Sequence, residues 1–293
     1  MGPVAWTRLE VTVADASAEA VANFLLELGS PGLQIEEGRN ETALTGYLPG
    51  RVENVPAKID GYLRHLRQMS IPVGSGTIAV DYLRPTDWLA LWRDRLRPVR
   101  VGRRLLIRPS WLTVPGEDDR VTIVIDPQMA FGTGHHATTQ FCLRALEDFL
   151  RTGDRVLDVG TGSGILSIAA AKLGAGRAEG LDIDAQAVAT ARENVRINDV
   201  KGRVRVSGRD IGSIPERSYH LAVANIDGRT LMALLPRLVR IVKRGGHLIL
   251  AGFLSEEEAS LRRRLTALGL SPERLEHRHE WASAVVRIPD LES

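Results

Sequence analysis

One stretch of the chain leaves few folds open. Asp158-Val-Gly160-Thr-Gly162-Ser-Gly164 follows an apolar run, Arg155 to Val159, and leads into a helix-like run that carries Ile165, Leu166 and Ile168. Glycines on alternate positions of a strand-to-helix turn let the backbone bend tightly and come close to a ligand that side chains would hold away. Asp182 stands 22 positions after Gly160 (160 to 182), at the end of the next apolar run. A carboxylate there can accept hydrogen bonds from both hydroxyls of a ribose. Such a loop works at the C-terminal edge of a parallel sheet, so the surrounding sequence should supply strand-helix units.

It does. Strands are predicted at Arg155 to Val159, Ala178 to Ile183, Arg203 to Val206, His220 to Asn225 and His247 to Ala251, with helices such as Ala185 to Ile197 and Thr230 to Val242 between them. Repeated βα units give a parallel, doubly wound α/β sheet covered on both faces. Glu273 to Trp281 and Ser283 to Ile288 lie too close together for a crossover helix, so they are predicted to pair antiparallel as a C-terminal hairpin at the sheet edge.

The first 85 residues follow another pattern. Leu9, Val11 and Val13 alternate with polar residues as in a strand. Ser17 is placed to cap a helix bearing Val21, Phe24, Leu25 and Leu28. Short strands are expected at Leu33 to Glu36 and Ala43 to Leu48, turning at Gly38 to Asn40. A second helix carries Ile59, Tyr62, Leu63, Leu66 and Met69, and a last strand Ile78, Val80 and Tyr82. The order β-α-β-β-α-β is the ferredoxin-like α+β pattern. Pro85-Thr86-Asp87 breaks it, and a short helix with Trp88, Leu91 and Trp92 is expected before Pro98. The organisation read from the sequence is therefore residues 1–85 as a small domain, 86–110 as a linker helix and basic stretch, and 111–293 as the cofactor-binding domain.

Composition supports a folded protein of about two domains: 293 residues, 44% hydrophobic and 25% charged. There are 38 basic and 36 acidic residues, a formal net charge of +2, which argues against a surface built throughout for nucleic acid. Only Lys58, Lys172, Lys201 and Lys243 are lysines, so 34 of the 38 are Arg. Seven Arg and one acid, Asp94, fall between Arg93 and Arg108, either as a solvated face or as a patch for a polyanion or acidic partner. The single cysteine, Cys142, allows neither an internal disulfide nor a thiolate metal cage, and is expected in a small core niche. The chain shows no signal-peptide run and no 18-residue apolar run, so a cytoplasmic protein without a membrane span is expected.

Two absences narrow the ligand. Ile165 stands where a dinucleotide G-x-G-x-x-G needs its third glycine, and no G-x-x-x-x-G-K-S/T phosphate loop occurs. Acidic Asp158 at the front of the loop suits a cofactor with a cationic amino-acid end better than a pyrophosphate. S-adenosylmethionine, with its adenosine, sulfonium and ammonium, has that shape. A glycine-rich turn with no ligand is the alternative.

Asp158 to Gly164 with Asp182 is similar to the class I methyltransferase signature. Ile125-Asp-Pro-Gln-Met-Ala-Phe-Gly-Thr-Gly-His-His-Ala-Thr-Thr139 resembles the DPxxAFGTGxHPTT segment of the bacterial ribosomal protein methyltransferase A family. Further matches are Asp87-Trp88 and Trp92, Arg108-Pro-Ser-Trp111, Val223-Ala-Asn-Ile226 and Glu280-Trp281, spread from Trp6 to about residue 288. The AFGTG segment is specific, whereas the glycine loop is shared by many unrelated methyltransferases. The resemblance implies methylation of the L-eleven protein of the large ribosomal subunit, at lysine or N-terminal amino groups, by a monomeric enzyme whose N-terminal ferredoxin-like domain finds the substrate.

Carried onto this sequence, the resemblance implies cofactor contacts at Thr139, Asp158, Gly160, Gly162, Asp182 and Asn225, with Phe131, Thr133 and Gly134 in a lid over the methionine end. Asp210, after the third strand, is a further candidate for the adenine. Asn225 is the candidate catalytic residue, its carbonyl orienting an amine N–H. The chain departs from the family at Ala137, where Pro is usual, and at Asp227, which is either a helix N-cap or a group that attracts a cationic amine. His135 and His136 lack acidic or thiol partners at ligand spacing, and no metal is expected; His277 and His279 read as surface or structural. Three alternatives stay open: a methyltransferase for lysines of another protein, an RNA methyltransferase favoured by the Arg93 to Arg108 stretch, and a cofactor-binding regulator without turnover. No stable nucleic-acid partner is expected, since the near-neutral charge and the lack of an aromatic-basic surface weigh against RNA.

Overall fold

The computed structural model describes residues 6–30, 33–38, 40–52, 54–83, 97–114, 119–126 and 132–290. The expected linker helix with Trp88, Leu91 and Trp92 lies outside the described residues, as does Phe131. The chain divides into two compact units, residues 1–95 and 96–293.

In the first unit, alternate burial along β1 (Trp6–Ala14) sends Thr7, Leu9, Val11 and Val13 inward. Helix α1 (Asp15–Glu27), β2 (Leu33–Glu37), β3 (Glu41–Pro49), α2 (Val55–Gln68) and β4 (Thr77–Leu83) follow. The four strands lie in the order β2-β3-β1-β4, all antiparallel, with the two helices between strands as the ferredoxin-like pattern requires. Leu9, Val11, Leu44 and Leu48 of the sheet bury against Val21 and Leu25 of α1 and Ile59 and Leu63 of α2. Two local expectations are corrected. Ser17 does not cap α1; it sits buried in the first turn and its hydroxyl donates to the Ala14 carbonyl at 3.0 Å. Met69 follows the last turn of α2 and is 59% exposed, because the helix ends before its apolar period does.

The second unit opens with a small sheet: β5 (Val99–Val101), β6 (Leu105–Arg108) and β7 (Val121–Val124), β5–β6 antiparallel and β6–β7 parallel. Residues 97–110, read from the sequence as linker, are thus part of this unit. Their many Arg residues alternate with Val99, Val101, Leu105 and Ile107, and the last three bury in the same core as Phe141 and Leu146. Then come α3 (Ala137–Phe149), β8 (Arg155–Val159), α4 (Ile165–Leu173), β9 (Arg177–Leu181), α5 (Ala185–Ile197), β10 (Val204–Ser207), β11 (Tyr219–Asn225), α6 (Gly228–Ile241), β12 (Val242–Leu254), α7 (Glu258–Ala267), β13 (Pro272–Arg278) and β14 (Trp281–Arg287).

The seven-stranded sheet has the order β10-β9-β8-β11-β12-β14-β13. The first five strands are mutually parallel, while β14 runs antiparallel to both β12 and β13, as the short connection demanded. Two apolar layers cover it: α3, α4 and α5 on one face, α6 and α7 on the other. This is the class I methyltransferase fold. The strand order reverses between β8 and β11, which opens a crevice at their C-terminal ends.

Candidate functional site

The crevice is shaped by backbone. Gly160, Gly162 and Gly164 all have positive φ, at 72°, 52° and 84°. The Gly160 and Thr161 amides donate to the Leu181 carbonyl, each at 2.9 Å, and so tie the loop after β8 to the end of β9. A Cβ on Gly160 would overlap Cγ2 of Ile226, so only glycine fits there.

Asp182 closes the loop from the next strand. Its Oδ2 accepts from the Gly162 amide at 2.9 Å and its Oδ1 from the Asp184 amide at 3.0 Å. Each oxygen keeps a lone pair for a ligand hydroxyl. Ile183, beside it, is 99% exposed, an apolar surface of the kind an aromatic base covers. Asp210 begins a one-turn 3-10 helix, residues 211–213, and its Oδ1 accepts from the Gly212 amide at 2.7 Å.

Gly160, Gly162, Asp182, Asp210 and Asn225 line one cleft of about 540 Å³ at the C-terminal ends of β8, β9 and β11. Thr133, Gly134, Thr139 and Asp158 do not line it, but Thr139 bonds directly to one of the residues that do. Thr139, in the first turn of α3, is buried, and its Oγ1 accepts from Asn225 Nδ2 at 3.3 Å. That bond orients the Asn225 carboxamide and leaves Oδ1 as a free acceptor among the described residues. Thr133 Oγ1 lies 3.3 Å from His135 Nδ1, and the buried Gly134 packs on Ile107. The neighbouring Gly132 carbonyl accepts from Ser163 Oγ at 2.6 Å, which ties this segment to the glycine loop.

Asp158 is fully buried. Its Oδ2 accepts three hydrogen bonds, from Thr161 Oγ1 at 2.6 Å, Ser167 Oγ at 2.8 Å and the Ser167 amide at 3.1 Å. Its Oδ1 has no hydrogen-bond partner among the described residues. Loss of hydration pushes the carboxyl up to about 6, and the nearby Asp182 charge adds to the rise while the hydroxyls oppose it. An orphaned buried carboxylate oxygen is costly unless something cationic meets it. S-adenosylmethionine, with hydroxyls for Asp182 and an adenine for Ile183, fits what these cleft residues lack, and its ammonium has the charge that the buried Asp158 behind the glycine loop leaves unmet.

Asp227 accepts the Thr230 amide at 2.9 Å and so caps α6, a contact that holds its carboxyl below the ordinary range. His136 packs edge-on against Trp281, 5.0 Å between ring centroids, and burial lowers its pKa. Among the described residues no group of three His, Cys, Asp or Glu is arranged to hold a metal. Cys142 is buried and its thiol is pushed upward by burial. Of the basic stretch, Arg103 pairs with Asp148 at 3.0 Å and Arg108 donates to the Leu112 carbonyl at 2.9 Å.

Four supporting residues lie outside the set of predicted site residues, two of them within the motifs quoted above. Ser163 and Ile226 flank the glycines. Asn194 on α5 and Asn198 just past its end, one turn apart and both buried, hold residues 124–126 through bonds to the amides of Asp126 (3.1 Å) and Val124 (2.9 Å). Two polar residues at i and i+4 among apolar neighbours were the available hint.

The model of one family, Ribosomal protein L11 methyltransferase (PrmA), matches residues 5–288, nearly the whole chain. The chain belongs to that family. Among its curated relatives, the ribosomal protein L11 methyltransferase of Trichlorobacter lovleyi is 37% identical over 94% of this chain and 96% of its own length. The one from Exiguobacterium is 33% identical over 96% and 99%. A solved ribosomal protein L11 methylase from Lactobacillus delbrueckii subsp. bulgaricus superposes with a TM-score of 0.62 at 28% identity, over 66% of this chain and 100% of that one.

Proposed function

We propose that this PrmA-family chain is an S-adenosylmethionine-dependent protein methyltransferase that methylates ribosomal protein L11, at lysine side chains or the N-terminal amine. The observation that carries the reading is the Asn225 carboxamide, fixed by Thr139 at the mouth of the cleft that Gly160 and Asp182 build. Thr139 and Asn225 are the pair through which cofactor and substrate meet; Gly160, Gly162, Asp158, Asp182 and Asp210 hold the cofactor; Phe131, Thr133 and Gly134 cover its methionine end.

When bound, S-adenosylmethionine supplies an electrophilic methyl group at a positively charged sulfur. The chain's own task is to present a neutral nitrogen in line with it. A free lysine amine has a pKa of about 10.4, so the proton must leave before attack, and a desolvated cleft favours the neutral form. Asn225 Oδ1 accepts an N–H of that amine and aims the lone pair, worth the gain that near-attack alignment gives over random encounter. An amide cannot take the proton itself, which passes to water. Asp227, with its carboxylate committed to Thr230, caps α6 rather than binding the amine.

The first unit, with the ferredoxin-like sheet, selects the protein substrate, and residues 97–290 carry out the transfer. The enzyme works as a cytoplasmic monomer and binds nucleic acid only in passing; in the described residues no helix is long and apolar enough to cross a membrane. The test is mass spectrometry of ribosomal proteins from cells that lack this chain, incubated with it and labelled S-adenosylmethionine. Label in L11, in steps of one methyl, is expected. Label confined to RNA or to another protein would overturn the assignment.

A further inference from the structure

The sheet has a second polar cleft, of about 580 Å³, at the end opposite the cofactor site. It is built where β8, β11 and β12 begin: His220 opens β11, Lys243 to His247 open β12, and Arg151 and Asp154 precede β8. Parallel strands carry the cofactor cleft at one end and this one at the other, about 17 Å apart for a five-residue strand.

His220 defines its chemistry. Its Nδ1 accepts the Arg155 backbone N–H at 2.9 Å, which assigns the ring proton to Nε2. Nε2 stands 3.0 Å from Lys243 Nζ. An imidazole has one lone pair, already used, so the ammonium cannot donate to it. Two donors converge with no acceptor between them among the described residues. The backbone holds them in place: a Cβ on Gly246 would overlap the His220 carbonyl oxygen, so β11 and β12 approach closely there.

The charges around this point are unevenly matched. Each of the three carboxylates in the cleft has a partner: Asp154 accepts the Arg151 amide at 2.8 Å, Glu273 lies 3.3 Å from His247 and Asp290 pairs with Arg287 at 2.9 Å. The side chains of Arg151 and Arg244 have no such carboxylate partner among the described residues. Burial lowers the His247 pKa against the pull of Glu273, and the nearby positive charges of Arg287 and Arg151 add to the lowering.

We infer that this cleft binds a compact polyphosphate anion, its phosphoryl oxygens received between His220 Nε2–H and the Lys243 ammonium and flanked by Arg151 and Arg244. Phosphoryl oxygens accept several charge-assisted hydrogen bonds at once, which converging donors require. Glu273 and Asp290, both on the exposed rim, repel an extended polyanion and so favour a small ligand over a nucleic-acid backbone. This site is independent of the methyl-transfer reading.

Inorganic tripolyphosphate is the probe, titrated into the full-length protein by calorimetry. Saturable binding of one equivalent is expected, weakened about tenfold or more in the Lys243→Gln/Arg244→Gln variant. Affinity for S-adenosylhomocysteine should change less than about twofold, showing that the variant is folded. A short single-stranded RNA should fail to displace the probe. No saturable binding, binding indifferent to the double substitution, or displacement by RNA at equal phosphate concentration would each overturn the assignment.

Discussion

On the proposed reading Asp158 should make cofactor affinity a function of pH, with a magnitude that follows from its burial. The carboxyl stands at about 6 instead of 3.8. At about 1.36 kcal/mol per pH unit, holding it ionised at neutral pH costs the ligand-free protein about 3 kcal/mol. The folded pKa is raised, so the contribution favours the fold fully below 3.8 and is lost as pH climbs through about 6. Relative to Asp158→Asn, the ligand-free protein should therefore lose stability as pH rises over that window. An ammonium against the orphaned Oδ1 reverses the preference, because it binds the carboxylate and not the acid. Affinity for S-adenosylhomocysteine should then fall about tenfold from pH 7.5 to pH 5, since about nine-tenths of Asp158 is protonated one unit below its pKa. The ligand's α-amino group, with an ordinary pKa of about 7.7 to 8.0, stays mostly charged over that range and loses charge only toward its upper end, which works against the predicted fall rather than producing it. Titration calorimetry across the window reads the curve, and Asp158→Asn isolates this buried carboxyl from Asp182 and Asp210, which line the cleft. The variant should bind weakly with a flat profile. A flat wild-type profile, or one equally steep in Asp158→Asn, would refute the ammonium contact.

Three further outcomes check other parts of the site. Gly160→Ala combines a positive φ of 72° with overlap on Ile226, and should weaken S-adenosylhomocysteine binding at least about tenfold; adding Ile226→Ala relieves the overlap but not the αL cost of about 1 to 2 kcal/mol, so calorimetry should show partial recovery. Thr139→Val keeps the shape and removes the oxygen that orients Asn225, so kcat should drop about tenfold with the substrate KM little changed; a fall in KM-based affinity alone would count against the orienting role. Asp227→Ala should cost about 1 kcal/mol in urea unfolding through loss of the α6 cap, whereas Asp227→Asn restores the cap and should leave turnover intact. A turnover defect in Asp227→Asn would instead give the carboxylate a part in binding the amine.

What could be read in the sequence was whatever depends on local backbone chemistry. The glycine loop, Asp182 at a strand end and the hairpin after Glu273 each follow from spacing within a few residues, and the strand order then puts Gly160, Asp182 and Asn225 at one edge. The small sheet of β5 to β7 has a weak sequence signal because frequent Arg masks the apolar pattern of Val101, Leu105 and Ile107, which bury inward among the charges. Snorkelling Arg stems permit that, since only the guanidinium needs water. The start of α1 is masked for a related reason. A serine near a helix start reads as a cap, but Ser17 is turned inward and bonds back to Ala14.

Asn194 and Asn198 show why the remainder was not legible. On a helix drawn from sequence they look like solvent-facing polar positions, yet both are buried, and their partners lie some 70 residues earlier at Val124 and Asp126. Asn194 also donates to the Ser163 carbonyl at 2.8 Å, while the Ser163 hydroxyl holds the Gly132 carbonyl. One amide side chain therefore joins the cofactor loop to the strand-end residues that lead into the AFGTG segment, and a buried amide does so only if all its groups are matched. Unmatched, each costs about 1 to 3 kcal/mol, so the arrangement holds as a unit or not at all. A motif identifies residues that meet the ligand; the residues that set the distance between two motifs have partners far off in the chain, and only the fold reveals them.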